Sequence, residues 1–192
     1  MLLHKFKVLS VDYYFDIVSI PAWILFERFS FLQAKNIAQI NFNFRPVHAG
    51  TLITSVGGQV PYTTPNLKKN YFEEQRLFAR LHGLNIATDP NKPLNTEDDL
   101  NEAFNSSKIS LNLDLHENLF LNDEWCTKLN ENHKEAINSK CFGIPWTVLH
   151  FENENNISQN KSKVFFGVDS WPLICSYLKI PQKLFGDVLL LN

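Results

Sequence analysis

Ser19 is the residue best placed to do chemistry in this chain, because it stands where an extended run gives way to a helix. Ahead of it, Leu9 to Phe15 reads Leu-Ser-Val-Asp-Tyr-Tyr-Phe, β-branched and aromatic with partial alternation. Behind it, Trp23-Ile24-Leu25-Phe26-Glu27-Arg28-Phe29 continues helically toward Asn36. A serine at such a junction caps the helix, and Pro21 falls where a missing N–H costs least. The same hydroxyl, with the free N–H groups of the first turn, is also suited to hold a thiolate or another anion. The junction alone leaves both roles open.

Other chemically capable residues form weaker patterns. Asp114-Leu115-His116-Glu117 has metal-ligand types but one histidine and no second cluster, so a solvated face is expected and no metal. His48 lies in a loop-like stretch, and a surface or core role is favoured over a pocket role. Cys126, Cys141 and Cys175 are odd in number and far apart, which argues against a disulfide framework. Cys141 reads as a buried small hydrophobe, since no His–Cys pair is identifiable. Arg45 and Lys68-Lys69 are surface charges that could also meet an anionic ligand. The tryptophans Trp23, Trp125, Trp146 and Trp171 are not interleaved with basic residues, against stacking on nucleic acid.

The elements that must position these residues are uneven in clarity. Ile40 to Phe44 alternates as an edge-capable strand ended by Pro46. Residues 46 to 67 carry Gly50, Gly57-Gly58 and three prolines, and read as a long binding loop or lid. Leu67 to Leu81 has amphipathic helical spacing, with Gly83 as its stop. A turn spans Asp89 to Leu94, and Thr96 with Asp99 opens a short helix through Asn105. Residues 106 to 122 are ambiguous, and a further helix runs from Glu124 to Asn138. Trp146 to Phe151 and Lys163 to Phe166 are paired strands around a polar loop at 152 to 162. Asp169 is expected to cap a helix from Ser170 to Leu178. This pattern supports an α/β chain.

Composition narrows the class. At 192 residues the chain can bury one core, or one core with an inserted lobe. A hydrophobic fraction of 44% and an aromatic fraction of 13% exclude a disordered chain. With 18 Lys plus Arg against 20 Asp plus Glu, the formal charge of -2 implies no net attraction to nucleic acid or anionic lipid. No apolar run is long enough to cross a bilayer, so no membrane insertion is expected. The first residues, Met-Leu-Leu-His-Lys-Phe-Lys, lead into a core strand and read as structural, not as a cleaved signal.

Taken together, the two ends of the chain resemble the kappa-class glutathione transferases and their relatives, the bacterial 2-hydroxychromene-2-carboxylate isomerases. Tyr14-Phe15-Asp16-Ile17-Val18-Ser19-Ile20-Pro21-Ala22-Trp23 is similar to the family's Tyr-Asp-x-x-Ser-Pro-Tyr-Ser-Trp. Phe142-Gly143-Ile144-Pro145-Trp146-Thr147-Val148 is similar to its Phe-Gly-Leu-Pro-x-Thr-Val, and Phe166-Gly167-Val168-Asp169 to its Phe-Gly-Ser/Asn-Asp. The resemblance covers roughly residues 10 to 85 and 138 to 180; between them the chain is a few dozen residues short of a typical member. It implies a thioredoxin-like fold with a reduced helical insertion between an N-terminal β-α-β unit and a C-terminal β-β-α unit. The parts would be 1–46 and 139–192, with the insertion at 47–138.

The resemblance further implies that Ser19 donates its hydroxyl to a glutathione thiolate and that Ile144-Pro145 is a cis bond presenting main chain to glutathione. Asp169 would receive the γ-glutamyl amino group. The partners implied are glutathione as co-substrate, an electrophilic small molecule and a second copy of the chain as a homodimer. The address implied is mitochondrial or peroxisomal, although no targeting sequence is seen and Leu190-Leu191-Asn192 does not match a peroxisomal tail. Ser19 and Ala22 stand where thiol–disulfide oxidoreductases of this superfamily carry Cys-x-x-Cys, so dithiol exchange is chemically closed at that site.

Four departures bear on activity. Ile20-Pro21-Ala22 replaces Pro-Tyr-Ser, Val168 replaces a hydroxyl or amide, Ser170 replaces an arginine, and the insertion is shortened. Losing a charged hydrogen bond costs about 1.5–3 kcal/mol, roughly ten- to a hundredfold in affinity. Glutathione transfer is the expected activity. An isomerase using the same thiolate as a transient nucleophile is a second reading, and a binding protein that has lost glutathione affinity is a third. A cleft plugged by Trp146 or Tyr62 would favour the last.

Overall fold

The computed structural model describes residues 7–60, 74, 77, 78, 80, 123–152 and 161–182. Strand β1 (Val8–Phe15) is the inner strand from which the rest is built. Its alternation sends Val11, Tyr13 and Phe15 to one face and Asp12 and Tyr14 to the other. Helix α1 (Ile20–Ala34) follows and carries the chain over the first face, burying Ala22, Leu25, Phe29 and Leu32. A 3-10 turn (Ile37–Gln39) then leads into β2 (Asn41–Pro46), which lies parallel to β1 at the sheet edge. Asn36 takes the left-handed conformation after α1, where asparagine is among the residues that tolerate it.

Helix α2 (Ala49–Ser55) comes next in chain order, and α3 (Asp123–Asn138) is the next named element. Strands β3 (Trp146–Phe151) and β4 (Ser162–Phe166) run antiparallel, a 3-10 turn covers Val168–Ser170, and α4 (Trp171–Leu178) closes the described part. The sheet order is β2-β1-β3-β4, with β1 and β3 antiparallel. A β-α-β unit joined through its first strand to a β-β-α unit is a thioredoxin-like α/β arrangement.

Two cores flank the sheet. On the first face α1 and α4 bring Leu25, Phe29, Trp171 and Ile174 against Val11, Tyr13, Leu149 and Phe165. On the second, Leu52 of α2 and Ala136 of α3 pack with Tyr14, Trp146 and Val148. Asn132 of α3 donates to the Pro46 carbonyl at 2.9 Å, fastening α3 to the end of β2.

Several expectations need correction. Residues 46 to 67 are not one long loop: α2 occupies Ala49–Ser55. Its start is secured by contacts distant in sequence, for the Asp16 carboxylate accepts from Ala49 N at 2.7 Å. His48 caps it locally by accepting from Thr51 N. Asp169 does not cap α4; it lies in the 3-10 turn, and the helix begins at Trp171 after Ser170, whose hydroxyl instead donates to the Phe166 carbonyl at 2.5 Å. Of the helix expected over 67–81, residues 74, 77, 78 and 80 are helical and the rest lies outside the described residues. So do the features expected between 83 and 122, and the body of the loop at 152–162. Among the described residues no helix is long and apolar enough to cross a membrane.

Candidate active site

The geometry of β1, β3 and β4 gathers the candidate residues at one end of the sheet. Ser19 lies just beyond the C-terminal end of β1, and Pro145 immediately precedes β3. Because β1 and β3 are antiparallel and Tyr14 pairs with Trp146, these two ends are neighbours. Asp169 lies just beyond the end of β4, where Phe166 also pairs with Trp146. The Ile144–Pro145 bond is cis, and the Pro145 carbonyl accepts from Gly167 N at 3.0 Å. Gly167 is at φ 79, where a side chain is disfavoured, and a Cβ there would meet the Asp169 carboxylate at 2.3 Å. The proline loop and the turn bearing Asp169 are thus joined by a main-chain bond, and Phe142 of the loop packs on Phe166 at the end of β4.

Ser19 is only 9% exposed. Its N–H donates to the Asp16 carbonyl at 3.0 Å and its carbonyl accepts from Trp23 N at 2.9 Å. Its side-chain Oγ accepts from Ala22 N at 3.4 Å, longer than an ordinary N–H···O bond. Among the described residues nothing accepts the Ser19 O–H. The cap is therefore real but loose, and the hydroxyl retains a donor. The first turn of α1 is pinned separately, since the buried Tyr13 hydroxyl donates to the Ala22 carbonyl at 2.5 Å. Burial leaves the Tyr13 phenol far harder to ionise than usual.

Asp16 was not singled out from the sequence, yet its buried carboxylate underlies this turn. Oδ1 accepts from Val18 N at 3.1 Å and Oδ2 from Ala49 N at 2.7 Å. Two motif letters hinted at it, because an Asp closing a strand is an apt acceptor for turn N–H groups. The second bond needs the arrival of α2, which no local signal announces.

The rim of this end is apolar. Ile17 and Val18 are exposed just before Ser19, and Phe142 is exposed on the proline loop. Phe142 packs on Phe166 and Trp146 with ring centroids 4.7 and 5.3 Å away. Trp146 itself is buried on the face opposite α1, held by its indole N–H donating to Ser139 Oγ at 2.9 Å. It packs with Tyr14 and Val148 instead of over the start of α1; Tyr62 lies outside the described residues.

The remaining candidates are used structurally. Arg45 pairs with Asp12 at 3.3 Å and with Glu135 at 2.5 Å, so its charge is engaged within the sheet and α3. His48 caps α2, and its N–H donates to His133 Nε2 at 3.0 Å. Cys141 is buried, which pushes its thiol up to about 11, and its S–H donates to the Gly143 carbonyl. Cys126 is exposed and Cys175 buried, and none of the three cysteines is in a disulfide. Among the described residues no group of three or more His, Cys, Asp or Glu is arranged to hold a metal ion.

No family model matches the chain, and no curated protein does. Among solved structures the chain is similar to a 2-hydroxychromene-2-carboxylate isomerase, with a TM-score of 0.62 and 16% sequence identity. The likeness covers 89% of this chain and 95% of that one. Identity this low speaks to architecture alone, and on that count the chain has a thioredoxin-like α/β fold.

Proposed function

We propose that the chain is a glutathione transferase, with the Ser19 hydroxyl holding the glutathione thiolate for attack on an electrophilic small molecule. The observation that carries this reading is the loosely engaged Ser19 Oγ at the first turn of α1, its O–H without an acceptor among the described residues, at the sheet end shared with cis Ile144–Pro145. A thiol with an ordinary pKa of about 8.5 is mostly protonated at neutral pH, and a hydroxyl donor with a helix N-terminus favours its anion. The main chain at Ile144 positions the tripeptide, and Asp169 receives its amino group. The apolar rim of Ile17, Val18 and Phe142 suits an electrophile with little charge. Catalysis comes from holding a reactive anion beside its target. The homodimer and the organellar address belong to the same proposal.

A second reading is an isomerase in which the same thiolate adds to substrate, allows rotation and leaves. It is favoured by the likeness to a 2-hydroxychromene-2-carboxylate isomerase. The test common to both is titration calorimetry with glutathione, together with the ultraviolet absorbance of the bound thiolate. The expected result is saturable binding, with a thiolate-to-thiol ratio about ten- to a hundredfold lower in Ser19→Ala, the worth of a charged hydrogen bond. Circular dichroism checks that the variant is folded. Absence of saturable binding at millimolar glutathione overturns both readings and leaves a binding protein on this fold.

A further inference from the structure

We infer that Asp16 is the positioning residue of this site, a buried strut that sets the Ser19 turn at a fixed distance from the start of α2. The inference rests on the glutathione reading for its functional consequence, but not for its geometry. Asp16 is 7% exposed, and each of its carboxylate oxygens takes one main-chain N–H from a different segment. Val18 N belongs to the turn leading into Ser19; Ala49 N is the first N–H of α2. The Asp16 carbonyl accepts from Ser19 N, so one residue touches the turn through both main chain and side chain. The neighbouring register is fixed by Val47 N donating to the Phe15 carbonyl at 2.8 Å. Burial of this carboxyl group is compensated because a main-chain N–H meets each of its oxygens.

The alternative is that Asp16 acts through its charge. A carboxylate near a bound thiolate repels it, which would raise the thiol pKa. The two possibilities predict opposite signs for the same substitution. If Asp16 is a strut, Asp16→Asn removes one of its two bonds, because the amide NH2 cannot accept from a main-chain N–H, and lets Ser19 drift from the thiol, so the bound thiolate-to-thiol ratio falls. If its charge dominates, Asp16→Asn raises that ratio.

The experiment measures this ratio for the full chain with glutathione, in the wild type, Asp16→Asn, Asp16→Ala and Ala49→Pro. Ala49→Pro removes the N–H at the far end of the strut, at a first-turn position whose backbone accepts proline, and adds two ring carbons at this buried residue. Asp12→Asn, which changes another carboxylate of β1 away from Ser19, is the control for general loosening. The strut predicts a fall of about three- to tenfold in Asp16→Asn and in Ala49→Pro, the worth of one hydrogen bond, a larger fall in Asp16→Ala, which loses both, and no change in the control. A rise in Asp16→Asn overturns it, as does an unchanged ratio accompanied only by a lower Tm.

If the wild type binds no glutathione, the functional reading fails separately and amide hydrogen exchange decides the inference. Faster exchange at Ser19 and Ala22, together with Val18 and Ala49, then supports the strut. Acceleration confined to Val18 and Ala49 overturns it. Ala49→Pro keeps the question answerable should either Asp16 variant fail to fold.

Discussion

The two faces of the sheet are built from different materials. Beneath α1 and α4 the contacts are almost wholly aliphatic and aromatic, with Phe29 at the centre: its ring meets Tyr13 at 4.9 Å, Phe42 at 5.5 Å and Trp171 at 5.8 Å. Beneath α2 and α3 a smaller apolar cluster gives way to a polar chain. Asn43 donates to Asp12 at 2.8 Å, His150 meets the same carboxylate at 2.9 Å, and Arg45 links Asp12 to Glu135 of α3. Both faces have fixed geometry, but for different reasons. On the first, shape and burial do the fixing; on the second, directional bonds align one helix with one strand. Ser19 belongs to the first face through α1, while the Asp16 bond to Ala49 reaches toward the second.

Substitutions on each face should separate these materials. The largest loss is expected at the aromatic centre: Phe29→Ala should cost about 3–5 kcal/mol in urea unfolding, from lost transfer energy and the cavity left behind. A cost below that of the polar substitutions would invert the ranking of the two faces.

Next comes Asp12. Burial pushes its carboxyl up, but hydrogen bonds from Asn43 and His150 and the charges of Arg45 and His150 together hold it below its ordinary value. With a folded pKa depressed below the unfolded value of about 3.9, the ionised group contributes stability above that value. This contribution is lost as pH falls through the folded pKa. Asp12→Asn should cost about 1.5–3 kcal/mol at neutral pH, the range for hydrogen bonds to a charged group. The gap between variant and wild type should narrow as the solution is acidified into the depressed range. A gap that stays constant with pH would remove Asp12 from the acid response.

The smallest effect belongs to Glu135. Its side chain is 46% exposed, so Glu135→Gln should cost no more than about 1 kcal/mol, and less still in added salt. A larger, salt-insensitive loss would mean that the second face leans on its outer ion pair as heavily as on Asp12.

What could be read from residue patterns follows the same division. Strands β1 to β4, α1 and α3 carry their own signals: alternating or periodic apolar residues, a serine cap, and proline or glycine at their ends. Ser19 stands out for that reason as a helix cap, whereas Ile144-Pro145 and Asp169 are named as site residues only through the family resemblance. Helix α2 was not legible. Seven residues containing Gly50 and the β-branched Thr51, Ile53 and Thr54 have poor intrinsic helix preference, and distant partners, Asp16 and Asn132, secure its surroundings. Asp16 escaped notice for the matching reason, since half of its bonding depends on α2. Asp169 was misread as a cap because Gly167 diverts the chain into a 3-10 turn first.

The central pairing of the sheet also bears on how the chain assembles. Asp12 and His150 are in contact although 138 positions separate them, whereas β1-α1-β2 and β3-β4-α4 are each local in sequence. Either unit can begin to form early, but joining them closes a very long loop, and topologies dominated by such contacts fold slowly. Once the closure has been made, its entropy grows only with the logarithm of length, about 0.6 kcal/mol for each doubling. Closure entropy therefore places little limit on the number of residues between β2 and β3; what holds α2 and α3 within that stretch is the second core and the bonds of Ala49 and Asn132.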